Sequence, residues 1–272
     1  MILVTGSKGQ LGTMLGPLLP EAIFVDVDEL DICDAAVVRA FVKAHGVTSV
    51  VNCAAYTAVD AAEDDAEAAE RVNVFGVRNL AEAVEKMIHI STDYVFDGTA
   101  RQPYTEADAP CPASVYGATK LRGEQAALKA ARTVAVIRTS WLYSPYGKNF
   151  YKTMLRLGAE RETISVVSDQ VGSPTYAGDL AEAIVAVLRG MAEGSKQIYH
   201  YSNEGVCSWC DFASEIMRQA GLPCRVLPIA TSEYPTKARR PAYSVLSKEK
   251  IKRAFGLAVP DWKDGLMRCR EA

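Results

Sequence analysis

The chain has 272 residues, of which 49% are hydrophobic and 23% charged, with a formal net charge of -3. This is the composition of a globular protein, and the lack of a basic excess argues against a nucleic-acid partner. No apolar run approaches the roughly 20 residues of a membrane span, and "MILVTGSKG" lacks the layout of a signal peptide, so a cytoplasmic protein with no membrane partner is expected.

Residues 2–5 form a short apolar run that ends at Gly6. Residues 11–19 read as a helix up to Pro20, and 22–27 as a second strand ending in acids. A helix over 35–44 precedes a third strand over 49–55. Alanine and acid recur at helical spacing over 61–79 and on to Lys86. A fourth strand covers 87–91, a helix 115–131 and a fifth strand 134–139. Strands alternating with helices imply right-handed βαβ units. The expected class is α/β: a Rossmann-type, doubly wound parallel sheet with a smaller C-terminal α/β lobe. Beyond about residue 143 the rhythm loosens without a linker or repeat. "TKARRPAYSVLS" reads there as an extended basic loop.

One junction stands out. "AEAVEKMIHIST" passes from helix to strand with no turn residue, where such connections usually take about 2 to 6 residues. Either the helix ends early or the stretch is shorter than the natural sequence. The seven cysteines include one C-x-x-C pair, Cys207 and Cys210, with no second ligand pair. Reduced thiols and no metal are expected.

"VTGSKGQLG" places Gly6, Gly9 and Gly12 between the first strand and the first helix. Glycine permits the tight turn and the close approach of a pyrophosphate, which a helix N-terminus attracts. Asp26, about 20 residues beyond Gly6 as the dinucleotide fingerprint requires, can accept hydrogen bonds from an adenosine ribose. A carboxylate there favours NADH; Lys8 in the loop could offset part of its repulsion of a 2′-phosphate. The cofactor is therefore NADH or NADPH.

"SVYGATKLRGE" sets Tyr116 and Lys120 on one helix face. A free phenol holds its proton at neutral pH, and a nearby ammonium is expected to lower its pKa. A phenol so tuned can protonate a carbonyl oxygen as hydride reaches the carbon. Lys120 can also hold the nicotinamide ribose. "ISTDYVFDG" brings Ser91, Thr92 and Asp93 to the end of a parallel strand, where ligands bind, and a hydroxyl there can polarise a carbonyl. Arg239 and Arg240 are candidates for a substrate diphosphate, set against a plain surface arginine pair.

These stretches, with "NCAAYTAVDAAE", "IRTSWLY", "SVVSDQVGSPTYAGDLAEAI" and "ARRPAYSVLS", resemble the dTDP-4-dehydrorhamnose reductases of the extended short-chain dehydrogenase/reductase superfamily. The resemblance implies a Rossmann domain over 1–143, with part of the later chain returning to it. It implies a sugar-nucleotide lobe over most of 144–272. The implied activity is reduction of the C4 ketone of dTDP-4-dehydro-L-rhamnose, the last step of dTDP-rhamnose synthesis for surface polysaccharide. Tyr116 is then the proton donor, Lys120 its helper and Thr92 the third member of the triad. Asp93 and Trp141 become substrate contacts, an indole face suiting a sugar ring. The implied cofactor contacts are Gly9, Gln10, Leu11, Asp26, Asp31, Ile32, Ala55, Tyr56 and Thr57, and Asn73 supports the site. Members of the family often include metal-linked dimers built with C-terminal acids. Only Glu271 stands near this end, so a metal-free monomer or homodimer is expected. The "VEKMIHIST" junction is a few residues shorter than the family pattern.

Two alternatives compete. One is another nucleotide-sugar epimerase, dehydratase or reductase of the same fold; a dehydratase needs an acid pair, and Thr92-Asp93-Tyr94 offers one carboxylate. The other is a non-catalytic relative like the regulatory subunit of methionine adenosyltransferase. Intact Tyr116, Lys120 and Thr92 weigh against it.

Overall fold

In the computed structural model, which describes residues 1–272, β1 (Ile2–Thr5) lies between β2 (Ile23–Val25) and β3 (Ser49–Asn52). Beyond β3 follow β4 (Lys86–Thr92), β5 (Thr133–Thr139) and the strand Lys196–His200. All five pairings are parallel. The edge strand comes from the later half of the chain, so the sheet is completed late in sequence.

Alternation along each strand divides the core into two layers. Val4, Val51, Ile88 and Ile137 face one side, where α1 (Gln10–Leu15), the helix Ala177–Gly190 and Ile251 cover them. Leu3, Val50, Met87 and Val136 face the other, under α2 (Ala35–His45) and the helix Val77–Ala83. Both faces are buried, which is why the strands read as continuous apolar runs. A third cluster, with Tyr143, Met154, Ile164, Phe212 and Trp262, holds the later segments together.

Two expected elements differ. The helical run over 61–79 is broken: Val59–Ala62 stops, and Asp65 caps Ala66–Glu70 by accepting from the Ala68 N–H at 3.0 Å. A π-helical turn, Arg71–Gly76, follows. Asp64 and Asp65 break the helix because a carboxylate at an N-cap competes with the helical ladder. At the tight junction the helix ends early. Val77–Ala83 stops, Val84 is extended (φ -124°, ψ 160°), and β4 begins at Lys86. The bound is reached because Glu85 already donates to the Thr48 carbonyl at 3.1 Å.

Candidate active site

The strand order reverses beside β1, and a crevice opens there at the carboxyl ends of the strands. Gly6 turns the chain at φ +67°, and a Cβ on it would sit 2.7 Å from the Ala54 nitrogen. A Cβ on Gly12 would strike the Gly6 carbonyl. Only glycine lets loop and helix close up this tightly. Gly9 precedes α1 without any side-chain cap. The crevice is a cavity of about 1050 Å³, larger than the roughly 300–1,000 Å³ usual for a drug-sized ligand. Its walls include Gly6, Gly9, Gln10, Leu11, Gly12, Asp26, Asp31, Ile32, Ala55, Tyr56 and Thr57 on one side. Thr92, Asp93, Tyr116, Lys120, Trp141 and Arg240 line the remainder. This glycine cradle, with an acid at the end of β2, fits a nicotinamide dinucleotide.

Asp26 is held in place. Its carboxylate accepts the backbone N–H groups of Lys8 and Val27, both at 2.9 Å. Lys8 turns its ammonium to Asp28 at 2.6 Å and lies 3.6 Å from Glu29. The charge expected to offset Asp26 is thus already engaged by two other acids.

Tyr116 and Lys120 lie on the helix Val115–Ala130, which Ser114 caps by accepting from the Gly117 N–H at 3.1 Å. Both side chains are buried, and Lys120 donates to the Ile90 carbonyl at 2.7 Å. Asn73, on the π-helical turn, binds both backbone groups of Tyr56 and the Thr119 hydroxyl. It braces the site without lining the cavity. Thr92 closes β4 opposite Thr139 and donates to Asp93 Oδ1 at 2.9 Å.

The acidification of the phenol expected from Lys120 is not found. Burial raises the Tyr116 pKa, a hydrogen bond with Thr92 offsets part, and Asp93 and Tyr94 push it further up. The ammonium is committed to Ile90, and desolvation of the phenolate dominates. Tyr116 therefore keeps its proton at neutral pH, as a proton donor must. Burial also lowers Lys120, to about 8, against the opposing charges of Glu124 and Cys53.

Asp93 is buried with its Oδ2 unpartnered, and burial raises its pKa to about 6 despite the hydrogen bond from Thr92. A carboxyl whose pKa is higher folded than unfolded stabilises most when protonated, below about pH 4, and loses that stability as pH rises through about 6. A shift of this size corresponds to roughly 2–3 kcal/mol. Asp93→Asn is expected to be more stable than wild type at pH 8 and to lose that advantage near pH 4. Thermal melts at the two pH values check this; equal gains at both would contradict the buried charge.

Trp141 is the one residue other than glycine at positive φ, 49°. Such backbone strain costs on the order of 1–3 kcal/mol and gathers at functional sites. One face of its indole is stacked on Trp209 at 3.7 Å and 12°. A sugar ring therefore cannot use both faces of Trp141, which narrows the expected contact. Trp209 and Phe150, 4.6 Å apart, extend this aromatic wall. Gln10 reaches across the cavity, accepting from Asn149 at 2.8 Å and Ser144 at 3.2 Å. Neither Trp209, Phe150 nor Asn149 carries a local sequence signal, because each meets the site through contacts about 60 to 140 residues distant.

The two arginines part company. Arg240 lines the cavity and donates to Asp60 at 3.0 Å. Arg239 is exposed and lies outside the lining. Adjacent residues of an extended segment point in opposite directions, so only one of the pair can face the site.

The family model described as RmlD substrate binding domain matches residues 1–272. A dTDP-4-dehydrorhamnose reductase of Burkholderia thailandensis is 42% identical over 289 aligned positions, covering 98% of this chain and 97% of the relative. The chain belongs to the dTDP-4-dehydrorhamnose reductase family. A solved structure of the family's dTDP-4-dehydrorhamnose reductase from Bacillus anthracis, in complex with NADP, superposes with a TM-score of 0.95. It is 41% identical, and the match covers 99% of this chain and 98% of that one. A further relative, from Streptomyces antibioticus, is 43% identical over 97% of this chain and 92% of its own length. It is described as a probable dTDP-4,6-dihydroxy-2-methyloxan-3-one 4-ketoreductase. Membership of the dTDP-4-dehydrorhamnose reductase family also accounts for the Rossmann-type sheet, and no helix is long and apolar enough to cross a membrane.

Proposed function

We propose that the chain is an NAD(P)H-dependent reductase that converts the C4 ketone of dTDP-4-dehydro-L-rhamnose to the alcohol of dTDP-L-rhamnose. The observation that carries this reading is the buried Tyr116 beside Thr92 and Lys120 in one cavity with the glycine cradle. A reduced nicotinamide held there would supply the hydride that the ketone carbon takes up. Tyr116 gives its phenolic proton to the ketone oxygen, and Thr92, turning its hydroxyl from Asp93, donates a hydrogen bond to the same oxygen as charge develops there. Lys120 favours the phenolate left behind. Gly6, Gly9, Gln10, Leu11, Gly12, Asp26, Asp31, Ile32, Ala55, Tyr56 and Thr57 hold the cofactor. Asp93, Trp141 and Arg240 hold the sugar nucleotide, Arg240 supplying the cation for its diphosphate. Residues 1–143, with the later helix and strand that pack on their sheet, form the cofactor lobe, and most of 144–272 the substrate lobe.

The test is direct. Purified protein is mixed with enzymatically generated dTDP-4-dehydro-L-rhamnose and NADH or NADPH, and the absorbance of the reduced cofactor is followed. Oxidation is expected, with NADH used more readily because Lys8 is engaged by Asp28 and Glu29. No oxidation with either cofactor sinks the assignment. The Streptomyces antibioticus relative favours a second reading, reduction of a different dTDP-4-keto-6-deoxy sugar; faster turnover of such a ketosugar would select it.

A further inference from the structure

Beneath the cavity lies a buried ionic network outside the triad. Glu124 sits one turn beyond Lys120 and two beyond Tyr116 on the same helix face. Ser91, the residue before Thr92, donates its hydroxyl to Glu124 Oε1 at 2.5 Å. Arg138 of β5 grips the carboxylate with two N–H groups, Nε at 2.8 Å and Nη2 at 2.7 Å. The two side chains are 1% and 2% exposed, so this is an ion pair fully removed from water. The guanidinium rests over the Phe96 ring, and its third contact is His200 Nε2 at 3.4 Å. His200 Nδ1 meets the Tyr104 carbonyl at 3.1 Å, which assigns its proton to Nδ1 and leaves Nε2 to accept from Arg138.

Such a pair is a poor source of stability, because desolvation offsets much of its attraction. Its placement points elsewhere. One carboxylate ties the helix bearing Tyr116 and Lys120 to β4 at Ser91 and to β5 at Arg138. The groups around Lys120 are Tyr116 and Glu124 on its own helix, Cys53 after β3, His89 on β4, and Arg138 of β5 held on Glu124. Burial keeps the phenol protonated, raises the Cys53 thiol to about 12 and holds His89 neutral. Glu124, paired with Arg138, is the carboxylate beside Lys120.

We propose that Glu124 is a positioning residue: its buried carboxylate fixes the Tyr116–Lys120 helix against the ends of β4 and β5 and sets a negative charge one helical turn from Lys120. The proposal rests on the reductase reading above, in which the Lys120 ammonium serves the proton donor. Burial already brings Lys120 down to about 8 with Glu124 opposing it, so loss of the anion lowers it further.

The experiment measures kcat/KM across pH 6 to 9.5 for wild type, Glu124→Gln and the double variant Glu124→Met/Arg138→Met. The double variant replaces the pair with apolar side chains and leaves no buried charge alone. The alkaline limb is expected near pH 8 in wild type, about one unit lower in Glu124→Gln, and lowered less in the double variant, which removes the Arg138 cation together with the anion. Lysine labelled with 13C at Cε, assigned by Lys120→Arg, reports the same shift without turnover. A limb and a Lys120 titration unmoved in folded variants overturn the proposal. Failure of both variants to fold also overturns it, by assigning the pair to stability. A wild-type chain that reduces no ketosugar sinks the reductase reading, while a Lys120 titration that still moves in the variants upholds Glu124.

Discussion

Replacing Tyr116 with Phe is expected to reduce kcat by about 10² to 10⁴-fold, the usual contribution of a positioned general acid. The substitution removes one oxygen and keeps the ring. Tyr116 packs edge-on against Tyr94 with ring centroids 5.5 Å apart, and that contact survives. Burial already holds the phenol neutral, so the variant changes no charge in the resting site. Thr92 keeps its hydrogen bonds to Asp93 and from the Tyr94 N–H. Melting temperature and substrate KM should therefore move little while kcat collapses. Steady-state kinetics with either reduced cofactor decide the matter, and a variant that retains most of the wild-type kcat would show that another group delivers the proton.

Arg138→Met alone should lower unfolding free energy by about 3–5 kcal/mol, as breaking a buried pair leaves its partner charged and alone. Glu124 would keep only the Ser91 hydroxyl, and His200 would lose its donor. The melting point should fall by roughly 10 °C, taking about 2–4 °C per kcal/mol for a chain of this size class. Acid should rescue part of the loss, because a lone buried carboxyl gains by taking a proton. Urea denaturation at pH 7.5 and pH 5.5 provides the measurement. A loss below about 1 kcal/mol at both would mean that water or rearrangement reaches the pair.

The sequence shows the frame of the site better than its packing. Gly6 and Gly12 are legible because a steric demand on one residue writes itself into one position. The strands are legible because both of their faces are buried. Thr92, Tyr116 and Lys120 are legible through local spacing and family likeness, and the structure gathers them in one cavity. The pKa of Tyr116 was misread, since spacing reports proximity to Lys120 but says nothing of desolvation or of the Ile90 carbonyl. Which of Arg239 and Arg240 faces the cavity was open in the sequence, because the facing of an extended loop depends on what it crosses, here Asp60. Trp209 against Trp141 and Gln10 against Asn149 were invisible, being pairings between remote segments with no shared periodicity. The break at Asp64 and Asp65 lay within reach: two acids before an alanine run are a capping signal.

The edge strand Lys196–His200 pairs with β5 along five positions, Lys196 to His200 against Val134 to Arg138. A ribosome making this protein must extrude some two hundred residues before that pairing can form. Until then β5 presents an open row of backbone donors and acceptors, an invitation to pair with another chain. At about 5–20 residues per second, the interval lasts seconds. The nascent protein therefore passes through a window in which its first half is complete in sequence yet unfinished in shape, and that window is where a chaperone would find its work.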